Sequence, residues 1–297
     1  MNSDSIKAKL KNIAVKEGKQ FDYLLTLYLI ERLLYRISIS EYADKFVLKG
    51  GVLLYIVLEE KARATKDIDM LARQLNNSLE NVEAIFKSVC EIKEDDAIEF
   101  DLNTLTVEKI KEDADYEGVR VKVTAFLDRT KKVLQMDIGF GDVIVPCATE
   151  IEYPSLLEMK KPLLKAYSME SVIAEKFEAM IYLAEANSRM KDFYDICILS
   201  QKYNFQGKVL KEAIQTTFKH RKTPLQSIPT LFTSEFRESK EKKQQWNAFK
   251  KRISSKEELE FFEVIDKLVK FLKPIYDSII ENKEFSLTWN LVEGRWK

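Results

Sequence analysis

The chain is poor in the residues that carry histidine, thiolate and disulfide chemistry: its 297 residues include one histidine and three cysteines. Cys90, Cys147 and Cys197 are odd in number, far apart and form no CxxC pair. That excludes a disulfide framework and a thiolate zinc site, and fits a reducing, cytoplasmic setting. The lone His220, in the basic run FKHRK, excludes a multi-histidine metal site and a catalytic triad built on any other histidine. Formal net charge is zero, so any pull on nucleic acid must come from local patches. No stretch approaches the roughly 18–20 uninterrupted apolar residues of a membrane span, and the N-terminal segment MNSDSIKAKLKNIAVKEGKQ lacks an apolar signal core. The expectation is a cytoplasmic protein without a membrane partner. Glycine is scarce too, eight in all.

Two of those eight stand side by side in LKGGVLLYIVLEEKARATKDIDML, Leu48 to Leu71, and two aspartates follow one residue apart. Around this stretch lies an ordinary globular composition, 45% hydrophobic and 32% charged, long enough for one large or two modest domains. Phe21 to Ser38 carries Leu24, Leu27, Tyr28, Ile30, Leu34 and Ile37 at mixed three- and four-residue spacings, which predicts a helix. A short apolar helix is expected at Val52–Glu59, a strand at Lys66–Leu71 and another helix at Asn76–Val89. From Ile98 to Val145 the pattern changes to strands: GVRVKVTAFL and KVLQMDIGF alternate with period two around the turn-like DRTKK. Beyond Pro154 helices are expected at Ser168–Asn187, Lys191–Tyr203 and Leu259–Asn282. The division expected is an α/β domain over residues 1–160 and a helical domain over 161–297. There is no internal repeat.

Asp67 and Asp69, two apart in a strand, project from one face, with Ile68 and Met70 on the other. Adjacent carboxylates repel unless a cation sits between them, and hard oxygen donors at this spacing suit Mg²⁺. In KVLQMDIGF, Leu134, Met136 and Ile138 share one face and leave Asp137 on the other. If the two strands are neighbours, Asp137 joins the pair, and three carboxylates can hold two ions for in-line attack on phosphorus. Gly50 and Gly51 would then open the following helix and let backbone N–H groups approach an anion, against the simpler reading of a tight turn.

The order of glycine pair, short helix, D-x-D and later strand aspartate resembles the polymerase-β-like nucleotidyltransferase pattern. That superfamily commonly has Gly-Ser before the helix; here Gly50-Gly51-Val52 lacks the hydroxyl. More specifically, FVLKGGVLLY…RATKDIDM, MDIGFGD, AEKFEAMI and SRMKDFYDI occur in the order seen in the AbiEii/AbiGii abortive-infection toxins, from about residue 20 to residue 200. The resemblance implies an α+β fold: a polymerase-β-like lobe, with a mixed sheet flanked by helices, followed by an all-helical C-terminal domain. It also implies a Mg²⁺-dependent nucleotidyltransferase, with two ions or Mn²⁺ in their place, that moves NMP from an NTP to an acceptor such as tRNA. Such a protein is the toxin half of a pair with a cognate antitoxin.

In SMESVIAEKFEAMIYLAEAN, Ile173, Phe177, Met180, Ile181 and Ala184 form one stripe, Lys176 flanks it, and Glu175 and Glu178 are expected to face away. Lys176 either snorkels to solvent or reaches an anion; the resemblance, in which a lysine of this block contacts nucleotide phosphate, favours the anion. In RMKDFYDICIL, Asp192 and Asp195 share the apolar side with Ile196 and Leu199. They either cap the helix, Asp192 at the N-cap, or serve the active site as a base or as holders of Lys176 and Arg189. The resemblance puts essential acids in this block, Asp192 ahead of Asp195. Lys49, Arg63 and Lys66 either touch phosphates or solvate the surface. The runs Arg129–Lys132, Lys219–Lys222 and Lys240–Arg252 read either as solvated helix faces or as an RNA-facing rim with Trp246 and Phe249 stacking on bases. Competing functions are a nucleotidyltransferase acting on a small molecule or protein, and a non-catalytic nucleotide-binding regulator.

Overall fold

The computed structural model describes residues 2–113, 116–253 and 259–297. The chain divides into two units: Met1–Ile56, Thr65–Gly141 and Thr149–Ala166 form the first, and Val57–Ala64, Asp142–Ala148 and Tyr167–Lys297 the second.

The first unit opens with α1, Ser3–Glu17, capped by Asn2 at one end and by left-handed Gly18 at the other. Helix α2, Phe21–Ser38, follows as the apolar periodicity predicts. The unit continues with β1 Phe46–Lys49, α3 Gly50–Leu58, β2 Asp67–Ala72, α4 Leu79–Glu91, β3 Ile98–Asp113, β4 Tyr116–Leu127, β5 Thr130–Phe140, β6 Thr149–Glu152 and β7 Leu163–Ala166. The last two residues of α3 are assigned to the second unit. The seven strands make one mixed sheet in the order β3-β4-β5-β2-β1-β7-β6. β2 runs parallel to β5, and β1 parallel to β7; the other neighbours are antiparallel. Helix α2 packs against α4 and against β5 and β7, which buries its apolar stripe.

Helix α2 also buries charges. Arg36 grips Asp96 through two hydrogen bonds of 2.6 and 3.0 Å, Arg32 donates to the Lys160 carbonyl, and Glu31 accepts from Ser155 Oγ and the Leu156 N–H. Each of these four charged side chains is at most 2% exposed. They tie α2 to the α4–β3 connection and to the segment between β6 and β7, satisfying polar groups that would otherwise be stranded in the core.

The second unit contains α5 Met169–Leu183, α6 Met190–Lys202, β8 Phe205–Gln206, α7 Gly207–His220, α8 Ser234–Arg237, α9 Lys240–Ile253, α10 Phe261–Ile280, β9 Thr288–Asn290 and β10 Arg295–Trp296. Its core is aromatic: Phe177 meets Phe218, Phe232 and Tyr276, and Phe193 meets Phe236 and Phe261.

The division differs from the one expected near residue 160. The sheet extends past that point because β7 pairs with β1, Val47 facing Lys165 and Leu48 facing Ala166. Residues 57–64 leave the first unit because the Lys61 carbonyl accepts from Tyr194 Oη and Arg63 is bound by Asp195. Residues 142–148 leave it because Val145 is pinned by Ser168 and Ser171 at the start of α5. The second unit is not purely helical either. β8, β9 and β10 form a small sheet, which Trp289 and Trp296 anchor by packing on Phe271. No helix among the described residues is long and apolar enough to cross a membrane.

Candidate active site

In the first unit the register settles which face each acidic side chain occupies. Consecutive Cα partners across β3, β4, β5, β2 and β1 are Glu108, Arg120, Asp137, Asp69 and Lys49. The next row on the same face holds Lys122, Gln135 and Asp67. Between and flanking these rows, on the opposite face, Ile68, Met70, Leu134, Met136 and Ile138 are at most 2% exposed. One face of the sheet is therefore core, and the other a half-exposed field of paired charges.

Asp69 explains the double glycine. Gly50 has φ +65°, and a Cβ added there would lie 1.9 Å from Asp69 Oδ2 and 2.6 Å from its Cβ. Both the left-handed backbone and the close approach demand glycine at 50. The Gly51 N–H donates to Asp69 Oδ2 at 3.2 Å. Helix α3 thus begins at Gly50, ahead of the expected Val52, and the anion held by the Gly51 N–H is the protein's own carboxylate.

Asp137 is held from the other side. Arg120 Nε donates to Oδ1 at 2.7 Å and Nη2 to Oδ2 at 2.8 Å, while Gln135 Nε2 lies 3.4 Å from Oδ2. Its bond to Asp137 pushes the Arg120 guanidinium above its ordinary value, with further negative field from Asp137, Glu108 and Asp67. Asp67, Asp69 and Asp137 share a face, Asp69 beside Asp137 and Asp67 one row away. Among the described residues no three His, Cys, Asp or Glu side chains are grouped to hold a metal ion. Arg120 and the Gly51 N–H draw Asp137 and Asp69 to opposite sides. Lys49 is buried in register with Asp69, and Lys66 is exposed one residue before β2.

The second unit builds a denser cluster. Lys176 Nζ lies 2.6 Å from Asp192 Oδ1 and 2.8 Å from Asp195 Oδ2. Arg189 Nε sits 2.7 Å from Asp192 Oδ2, and Arg63 reaches Asp195 at 3.2–3.4 Å through Nε and Nη2. Both carboxylates are fully buried and Lys176 nearly so. Burial opposes the charge on Lys176, but Asp192 and Asp195 outweigh it and hold the ammonium above its ordinary value. Burial likewise pushes Asp192 up, and Lys176 and Arg189 outweigh it to hold the carboxyl below the usual range.

Two of the alternative readings fall here and one expectation is corrected. Asp192 does not cap α6: Arg189 occupies the N-cap position, and Asp192 lies inside the first turn facing Lys176. Glu175 and Glu178 do not face away from the protein. Arg221 Nη1 donates to Glu178 at 2.9 Å, its Nη2 lies 3.7 Å from Glu175 and 3.6 Å from Asp142, and Thr223 Oγ1 also donates to Glu178. Trp246 and Phe249 are core residues, 1% and 3% exposed, so they offer no stacking surface to RNA. Trp246 Nε1 donates to the Leu259 carbonyl, and Lys242 from the same basic run is buried on the carbonyls of Glu185 and Asn187.

Arg120 is the contact that sequence reading passed over. Its signal lay in the two-residue turn at Asp128 and Arg129: with Leu127 facing Thr130, counting back along the hairpin sets Arg120 opposite Asp137.

The family model described as nucleotidyl transferase AbiEii toxin, type IV TA system, matches residues 32–270. The chain belongs to the AbiEii family. The match takes in both charged clusters and makes the protein a nucleotidyltransferase toxin of a toxin–antitoxin system, which implies a cognate antitoxin. The fold of this AbiEii protein is similar to that of JHP933 from Helicobacter pylori, with a TM-score of 0.51 and 14% identity over 88% of this chain and 94% of that one. It is also similar to an H. pylori structure described as a "putative nucleotidyltransferase", with a TM-score of 0.51 and 15% identity over 89% and 99% of the two chains. No curated protein matches the chain.

Proposed function

We propose that this AbiEii toxin transfers a nucleoside monophosphate from an NTP to a hydroxyl of an RNA acceptor such as tRNA, using Mg²⁺ held by Asp67, Asp69 and Asp137. The observation that carries the reading is the register of Asp69 beside Asp137 on the polar sheet face, with Asp67 one row away. The donor chemistry suits a hard divalent cation, oxygen ligands only on adjacent strands and half-open to solvent, and the three carboxylates would converge on one once Arg120 releases Asp137. When bound, the cation neutralises triphosphate charge and eases departure of pyrophosphate.

The chain's own residues do the rest. Gly50 lets Asp69 approach α3, and the Gly51 N–H holds one of its oxygens, leaving Oδ1 for binding. In the second unit Lys176, Arg189 and Arg63 gather around Asp192 and Asp195, a cluster of cations of the kind that binds phosphate. Asp192, held below the usual carboxylate range, is a poor proton acceptor, so its assigned role is to position Lys176 rather than to act as the base. RNA contact through Trp246 and Phe249 is no part of this reading.

Calorimetry with NTP and Mg²⁺ tests it. The Asp67→Asn/Asp69→Asn protein should lose metal-dependent NTP binding while melting like the parent. Undiminished binding in that variant would remove Asp67 and Asp69 from the site.

A further inference from the structure

We infer that Arg120 is a built-in counter-ion of the carboxylate face, occupying Asp137 when no divalent cation is bound and competing with such a cation for it. The inference rests on the metal-binding reading above. Asp137 and Asp69 are Cα partners on adjacent parallel strands, where spacing of about 4.8 Å brings like charges into repulsion. Arg120 and Lys49 stand at the two ends of this pair, so the row reads plus, minus, minus, plus. These four charges cancel without metal.

The geometry separates a competitor from an ordinary orienting partner. A typical outer-shell partner holds a ligand in place while leaving a donor atom to the metal. Arg120 instead lays its fork across both Asp137 oxygens, at 2.7 and 2.8 Å, and brings a positive charge to the place a cation would take. Arg120 also has somewhere to go. Glu108 is its Cα partner on β3, on the side away from Asp137, and accepts a surface contact from Lys122 at 3.0 Å. A shift of the guanidinium from Asp137 to Glu108 would open the face and keep the arginine paired.

Mn²⁺ titration of the full chain, with free Mn²⁺ followed by paramagnetic resonance and melting recorded with EDTA or Mn²⁺, decides the matter. Arg120→Gln should bind Mn²⁺ more tightly, by up to about fivefold for a partly exposed pair. It should melt below the parent in EDTA and recover the difference in Mn²⁺. Arg120→Lys, which keeps the charge and loses the fork, should move affinity the same way by less. Unchanged or weaker Mn²⁺ binding in Arg120→Gln overturns the inference; loss of an orienting partner would weaken binding about 10- to 100-fold. In that case the metal site stands, provided the parent binds and Asp69→Asn does not. Absence of Mn²⁺ binding in parent and Arg120→Gln alike overturns the metal reading, and the inference with it.

Discussion

Replacing Gly50 with alanine probes the contact on which the carboxylate face is built, and Gly18 supplies the control. Both glycines lie in the first unit with nearly the same backbone, φ +65° and φ +63°. An alanine forced into this left-handed region costs about 1–2 kcal/mol. At Gly18 a Cβ meets nothing within 4 Å, so Gly18→Ala should lose that amount and no more. At Gly50 the added carbon would sit 1.9 Å from Oδ2, 2.5 Å from Cγ and 2.6 Å from Cβ of Asp69. The overlap reaches the root of the side chain, so rotating the carboxylate away does not relieve it. Overpacking of this kind adds about 1–3 kcal/mol, for a total of roughly 2–5 kcal/mol. Urea unfolding followed by circular dichroism measures both losses, and Mn²⁺ titration of the same samples reports the displaced Asp69. Asp69→Gly, which removes the clashing atoms, should reduce the cost of Gly50→Ala toward that of Gly18→Ala. Equal losses for the two alanine variants, with Mn²⁺ binding intact in Gly50→Ala, would refute the reasoning.

Other expectations follow from the second unit. Asp192→Asn removes one of the two carboxylates that hold Lys176, with Asp195 still at 2.8 Å and Arg189 partly exposed, and should cost about 1–3 kcal/mol, so lost activity in this variant must be read beside its melting curve. Because Asp192 titrates below its ordinary value of 3.8, its stabilisation is present above that value and lost only as pH falls through the depressed one. The Lys176 contribution is present below 10.5 and lost as pH rises through its elevated value. The stability gap between parent and Asp192→Asn should therefore stay flat from about pH 5 to about pH 9; a gap that shrinks between pH 5 and 7 would contradict the ion-pair assignment. Acrylamide should quench Trp246 weakly, in a Trp289→Phe/Trp296→Phe background, and RNA should not change that. A marked RNA-dependent change would return Trp246 to the surface.

Much of this was legible because strand periodicity and motif order are local properties. The alternation around Asp67 and Asp69 and around Asp137 placed all three on the polar face, and the parallel pairing of β2 with β5 put Asp69 beside Asp137 with Asp67 one row away. What stayed hidden depends on partners distant in the chain. Nothing near Asp137 shows that Arg120 closes on it; only the hairpin register does. The glycine pair read as an opening for an outside anion, whereas Asp69 itself fills the space over Gly50. Trp246 and Phe249 sit in a run so basic that it reads as surface, yet helix α9 turns them inward against Tyr194 and Phe261. Helical spacing gave Glu175 and Glu178 an outward face, but Arg221, more than forty residues on by the 43-residue separation from Glu178, draws them in.

The central claim is that Asp67, Asp69 and Asp137 support transfer of a nucleoside monophosphate. Purified protein incubated with each α-labelled nucleoside triphosphate, Mg²⁺ and total cellular RNA tests it most directly, with RNA, protein and small-molecule products separated afterwards. Label is expected in the RNA fraction from at least one triphosphate, with release of pyrophosphate, and both should be lost in an Asp69→Asn protein that melts like the parent. Equal labelling by Asp69→Asn, or no labelled product in any fraction from folded parent protein, would contradict it.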